Sequence, residues 1–213
     1  MRSPASGDTS AIRTYFENRY PKRGGISSPL FRSGSLERAE IISAWLPTLA
    51  GKSLCDVGCG DGDQIARILS KGNLPERLVL QDMSDSVVDR AMERLSGYDC
   101  SVSRSIGDAF VDGFGGPHHV VIATGVTDYY RDWNRVLESL LQHTSELLIV
   151  DFPRKWKLRN IPRSMWLRQN GLEFHSASLG EVRELARRTA CPAKIASSRY
   201  NWMVRMTKIR APQ

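Results

Sequence analysis

Leu54-Cys55-Asp56-Val57-Gly58-Cys59-Gly60-Asp61-Gly62-Asp63 is the stretch on which the reading of this 213-residue chain turns. A short apolar run leads into three glycines at alternate positions, and a helical pattern follows from about Gly62 to Lys71. Strand, tight turn and helix start are the expected order. Glycine permits the sharp turn and lets a ligand approach the backbone closely. The helix start then offers unpaired N–H groups and the positive end of a dipole. A dinucleotide fingerprint, G-x-G-x-x-G/A, would place a small residue where Asp63 stands. A carboxylate there would repel a pyrophosphate. Asp56, two residues before the first glycine, suits a cationic group such as an α-ammonium.

The pattern repeats outward from the turn. Strands fit Ser53–Val57, Arg77–Gln81 (ending at Asp82), Cys100–Ser105, His118–Ala123 and Glu146–Asp151. Helices fit Ser35–Leu49, with Ser35 as N-cap, then Ser84–Leu95, Tyr129–His143 and Leu179–Thr189. Alternation of strands and helices predicts a mostly parallel sheet covered on both faces. Ala193–Tyr200 and Trp202–Lys208, around a turn at Asn201, read as an antiparallel hairpin on one sheet edge. The expected fold is α/β, a single Rossmann-like domain with a seven-stranded sheet. Residues 1–34 read as a leader, a helix over Ala11–Tyr20 and a loop, and 35–213 as the ligand-binding domain.

With Asp56, Gly58, Gly60 and Gly62 as D-x-G-x-G-x-G, the sequence resembles the class I S-adenosylmethionine-dependent methyltransferases. The register continues over about residues 35–208. Asp82 ends the second strand, Gly107-Asp108-Ala109 follows the third and Thr124-Gly125 the fourth. The resemblance implies S-adenosyl-L-methionine as cofactor and S-adenosyl-L-homocysteine as product. It implies cofactor contacts from Asp56, Gly58, Cys59, Gly60, Asp82, Met83, Asp108, Ala109, Thr124 and Gly125. Asp82 would accept the ribose hydroxyls, Met83 would pack on adenine and Asp108 would accept from its amine. Taken singly, Asp82 and Asp108 also suit ordinary turns.

The acceptor side is less specific. No D/N-P-P-Y/F/W motif follows the fourth strand, and no Pro-Cys nucleophile or acidic magnesium cluster stands out; no metal site is expected. Gly125-Val126-Thr127-Asp128-Tyr129-Tyr130, followed by Phe152-Pro153-Arg154, resembles the magnesium-protoporphyrin O-methyltransferases and their small-molecule relatives. That likeness implies O-methylation of a small molecule, anionic or carrier-bound, in a biosynthetic pathway. Tyr129 and Tyr130 either orient the acceptor or pack beneath the next helix. His175 is the candidate general base, with a surface-loop histidine as the bland alternative. Tyr20, beside Tyr15 and Phe16, is the candidate lid residue near the cofactor.

Composition bounds these readings. Charged residues are 25% and hydrophobic residues 41%, which excludes a disordered chain. No apolar run approaches the roughly 20 residues of a membrane span. The first residues carry no signal-peptide core, and the four cysteines form no C-x-x-C pair, so a reduced, cytoplasmic protein is expected. The net charge of +7 is uneven: residues 151–213 hold 14 Lys/Arg against 4 Asp/Glu. Arg154-Lys155-Trp156-Lys157-Leu158-Arg159 and Arg163-Ser164-Met165-Trp166-Leu167-Arg168 interleave cations with tryptophan. They would cap an anionic acceptor's pocket or, in an RNA methyltransferase, line a nucleic-acid groove. The absence of a separate RNA-binding domain favours the small molecule. A fold that has lost transfer chemistry is the third reading.

Overall fold

Each central strand is apolar on both faces, and this demands two covering layers. Leu54, Leu78, Val120 and Leu147 stand in register on one face; Cys55, Val121 and Leu148 stand on the other. The computed structural model describes residues 12–14, 29–155, 160–169 and 171–209. Its elements are α1 (Pro29–Trp45), β1 (Ser53–Val57), α2 (Asp63–Leu69), β2 (Arg77–Asp82), α3 (Asp85–Leu95), β3 (Ser101–Ile106) and β4 (His118–Ala123). A 3-10 turn (Thr127–Tyr129) follows, then α4 (Trp133–Gln142), β5 (Thr144–Pro153), α5 (Asn160–Gln169), α6 (Leu179–Arg188), β6 (Ala193–Ser197) and β7 (Asn201–Thr207).

The seven strands form one sheet in the order β3-β2-β1-β4-β5-β7-β6. β1 to β5 are parallel; β7 runs antiparallel to both β5 and β6. The expected mostly parallel sheet with its C-terminal hairpin is therefore what forms. One face packs on Ile42 of α1, Ile65 and Ile68 of α2, and Val88, Ala91 and Leu95 of α3. The other packs on Val136, Leu137 and Leu140 of α4 and on Val182, Leu185 and Ala186 of α6. Strand order reverses between β1 and β4, and their carboxyl ends open the crevice where such sheets bind ligands.

Several boundaries move for local reasons. α1 begins at Pro29, so Ser35 lies inside the helix and the expected boundary at residue 34 falls within it. Proline's fixed φ suits a first helical position. Gly34 is used for approach: a Cβ there would meet the Tyr200 ring at 3.1 Å. Pro47 accounts for the helix ending at Trp45 rather than Leu49. The helix expected from Tyr129 starts at Trp133, because Asp132 caps it by accepting from the Arg135 amide at 3.2 Å. α5 forms within the basic stretch, with Pro162 in its first turn. The hairpin turn lies at residues 198–200. Asn201 is already strand, its side-chain Nδ2 donating to Asp151 Oδ2 at 2.6 Å. Tyr15, Phe16 and Tyr20 lie outside the described residues.

All four cysteines are free thiols. No helix among the described residues is long and apolar enough to cross a membrane.

Candidate active site

The glycine turn is held by the strand beside it. Gly58, Gly60 and Gly62 all have positive φ. The amides of Gly58 and Cys59 donate to the Gln81 carbonyl at 2.8 and 3.0 Å, and the Gly60 amide donates to Asp82 Oδ2 at 3.0 Å. The buried Gln81 side chain accepts from the Gly58 amide at 3.3 Å and donates to the Gly107 carbonyl at 2.7 Å. One side chain thus ties the turns after β1 and β3 together. A Cβ on Gly58 would fall 2.1 Å from Val126 Cγ1, so the turn after β4 sits directly against this one. At Gly62 a Cβ would meet Ala91 at 3.0 Å, which lets α2 and α3 close up. Arg94 clamps the turn from outside, donating to the Asp61 carbonyl at 2.8 Å and to its carboxylate at 3.0 Å.

Three predicted carboxylates gather at this crevice. Burial, then the neighbouring Asp82 carboxylate, push Asp56 up to about 7, against the pull of Arg38. Burial also raises Asp82, while amide donors from Gly60, Ser84 and Met83 hold it down. Its other oxygen accepts from the Ser84 amide at 3.2 Å. Asp108 is positioned by Asp112, which accepts its amide at 2.9 Å. Asp108 Oδ1 accepts from the Phe110 amide at 2.9 Å and from the Tyr130 hydroxyl at 3.2 Å. Its Oδ2 is buried with no hydrogen-bond partner. A carboxylate oxygen left so, at a strand end, is a vacant acceptor for a ligand donor.

The remaining predicted contacts divide. Thr124 accepts from Gln64 Nε2, and the Gly125 amide donates to Asp151 Oδ1 at 2.8 Å. The side chains of Cys59 and Ala109 pack into the two core clusters, so their expected cofactor contacts would have to come from backbone. Met83 and Tyr129 pack on Ile12, Leu167 and Leu172, with Phe174 beside them. The chain near residue 12, α5 and the loop before α6 therefore meet next to the ends of β2 and β4.

The two tyrosines separate. Tyr130 meets Phe110 edge-on at 4.6 Å and is bound to Asp108, so it forms part of that carboxylate's wall. Burial and then Asp108 raise its hydroxyl, which keeps it a donor. Tyr129 stays in the apolar cluster. His175 is joined to the same turn, its amide donating to the Asp128 carbonyl at 2.9 Å. Its Nε2 lies 3.3 Å from Glu173, and burial, with help from Arg131, lowers its pKa against Glu173.

The described part of the basic segment is taken up by other contacts. Arg154 stacks over Trp202 at 4.3 Å and donates to the Ser198 carbonyl at 3.1 Å. Lys155 pairs with Glu181 at 2.6 Å, and Leu167 is buried. Residues 156–159 and the Arg163 side chain lie outside the described structure. Among the described residues nothing supports the RNA alternative, and Arg154 is held against the β6–β7 hairpin. Among the described residues no cluster could hold a metal ion.

Motif reading misses four side chains here. Gln81 and Asp112 orient the loops, and Arg38 and Asp151 form a pair at 3.2 Å beneath Gly125. Asp151 was legible only as a strand end. Arg38 had no signal, because its partner Asp151 is 113 residues away in sequence.

Solved structures share this fold. The magnesium protoporphyrin IX methyltransferase from Synechocystis with bound S-adenosylhomocysteine is 19% identical, with a TM-score of 0.73 over 95% of this chain and 100% of that one. An S-adenosylmethionine-dependent methyltransferase from Mesorhizobium loti is 14% identical, with a TM-score of 0.63 over 79% and 96%. An O-methyltransferase family 2 protein from Planctomyces limnophilus, in complex with apigenin, is 18% identical, with a TM-score of 0.62 over 85% and 62%. No family model matches the sequence, and no curated protein does. The fold is the Rossmann-like α/β fold of S-adenosylmethionine-dependent methyltransferases.

Proposed function

We propose that this chain is an S-adenosylmethionine-dependent methyltransferase acting on a small molecule, by O-methylation within a biosynthetic pathway. The observation that carries the reading is the vacant, buried Oδ2 of Asp108, together with the Asp82 carboxylate bound to the Gly60 amide and a glycine turn too tight for any Cβ at Gly58. Those residues fit the cofactor. Asp108 would accept from the adenine amine, Asp82 from the ribose hydroxyls and Asp56 from the ammonium group, with Met83 against the base. When bound, the cofactor supplies a methyl group already activated on a sulfonium. The chain's own task is then mainly to hold the acceptor in line and exclude water. The cluster of Ile12, Leu167, Leu172 and Tyr129 would serve the second purpose. Two proteins of this fold support the small-molecule class: the magnesium protoporphyrin IX methyltransferase and the O-methyltransferase crystallised with apigenin.

Calorimetric titration with S-adenosylhomocysteine tests the cofactor, and mass spectrometry of phenols and carboxylic acids incubated with S-adenosylmethionine tests the transfer. Saturable binding and a methylated oxygen are expected; no binding at millimolar ligand would refute the assignment.

The Asp56 environment sets a pH dependence. An ammonium group needs the carboxylate ionised, yet below about 7 Asp56 keeps its proton. Binding there must expel that proton. Affinity for S-adenosylhomocysteine should therefore rise with pH up to about 7, by as much as about tenfold per pH unit, and level off above. 5′-Methylthioadenosine, which lacks the amino-acid end, should show no such slope. Equal pH profiles for the two ligands would remove Asp56 from the ammonium contact.

His175 is proposed as general base for a hydroxyl acceptor. Its lowered pKa keeps it neutral, and so able to accept a proton, at pH 7. His175→Ala should lower kcat by about 10²-fold, and the wild-type acid limb below its pKa should vanish with it. A carboxylate acceptor needs no base; a flat pH profile and an unchanged mutant rate would exclude this role.

A further inference from the structure

The β6–β7 hairpin closes one end of the sheet, and β6 has no strand on its outer side. From residue 185 to 213 the sequence holds seven Lys/Arg and no Asp/Glu. Met203 packs in the core cluster that includes Ile42 of α1, so Arg205, two residues on, stands on that same face of the sheet. Lys194 lies directly opposite Arg205 in the register, with its Nζ 6.0 Å from the ring centre of Trp45 on α1. Neither cation forms an ion pair among the described residues. Acids on this side of the sheet are taken elsewhere, Glu146 by Lys52 and Glu40 by Lys71. Arg199 adds a third, exposed cation in the turn, where its amide donates to Glu37 Oε2 at 2.6 Å. Like charges placed directly opposite on neighbouring strands repel. One lysine is enough to keep an open edge from pairing with another copy. A second cation opposite it adds repulsion within the sheet that a carboxylate from outside would relieve.

We propose that β6 is a docking edge for an extended acidic segment of a partner protein, which adds to the sheet as a further strand and sets its carboxylates against Lys194 and Arg205. Backbone hydrogen bonds to the open side of β6 supply affinity, and alternate side chains supply specificity. A carboxylate opposite Lys194 forms the cross-strand ion pair that β7 does not offer. A second copy of this chain does not suit the edge, because two such strands bring cation against cation. β6 runs parallel to β5, both being antiparallel to β7. The added strand therefore follows the sheet to the Arg199 turn, at the same end as the candidate active site. Docking depends on this edge alone and not on the cofactor reading above.

A short peptide alternating glutamate and threonine is the probe, with its lysine counterpart and single-stranded oligothymidylate as comparisons. The acidic peptide should bind saturably, weaken with added salt and slow amide exchange within Ala193–Ser197. Lys194→Glu/Arg205→Glu should lower that affinity by about tenfold and bind the lysine peptide instead. Arg183→Glu/Arg187→Glu on α6 changes the net charge equally and should keep the wild-type preference. Lys194→Glu alone should show part of the reversal, and it decides the matter if the double variant does not fold. No saturable binding at millimolar peptide, no slowing of exchange in β6, or an equal loss in the α6 variant would overturn the proposal. Tighter binding of the oligonucleotide than of the acidic peptide would overturn it too, and would make the edge a nucleic-acid surface.

Discussion

Gly58→Ala is expected to destabilise the protein by about 2–5 kcal/mol and to abolish binding of S-adenosylhomocysteine. Two penalties combine. Gly58 has a φ of 69°, where a side chain costs about 1–2 kcal/mol. The new Cβ would lie 2.1 Å from Val126 Cγ1, and overpacking costs about 1–3 kcal/mol. Urea denaturation separates the two. Gly58→Ala/Val126→Ala should recover the overpacking part and leave the backbone strain. A single variant as stable as wild type, with ligand binding intact, would show that the two turns are free to part.

Asp82→Ala is expected to raise the dissociation constant for S-adenosylhomocysteine by about 10²-fold or more. Hydrogen bonds to an ionised group are worth about 1.5–3 kcal/mol, and the ribose contacts would go. Beyond those contacts, the same carboxylate receives the Gly60 and Ser84 amides, so its removal also loosens the glycine turn. Asp82→Asn keeps one carbonyl acceptor and should fall between wild type and alanine. Calorimetry that finds unchanged affinity in both variants would place Asp82 in turn support alone, outside any ligand contact.

The motif residues that the fold brings to one crevice share a physical origin. Asp56, Gly58, Gly60, Asp82 and Asp108 sit at strand ends or in the turns that follow them. Their positions relative to one another are set by strand length and by parallel pairing such as Val57 with Gln81 and Asp82 with Ile106. Local spacing is enough to recover them. The residues that were missed or reassigned come from elements whose place depends on packing. Tyr129 and Tyr130 are neighbours in sequence with the same side chain. One turns into the apolar cluster and the other to Asp108, because the 3-10 turn of Thr127–Tyr129 ends between them. Nothing in the sequence of two tyrosines distinguishes these fates.

The sheet was determined by the sequence alone. Two-faced apolar runs such as Val120-Val121-Ile122-Ala123 can be buried only between two helical layers. The glycines and aspartates that interrupt those runs mark the end of the sheet where a ligand can enter. Hydrophobic periodicity and backbone sterics act within a few residues, so a linear reading captures them. Tertiary structure decided what surrounds that ligand. Arg38 comes from a helix whose last residue precedes β1 by eight positions, yet it meets Asp151 on β5, two strands along the sheet from β1. Asn201 reaches the same carboxylate from the hairpin. A buried charge must find its partner wherever the fold brings one, and that pairing across 113 residues has no signature in sequence spacing.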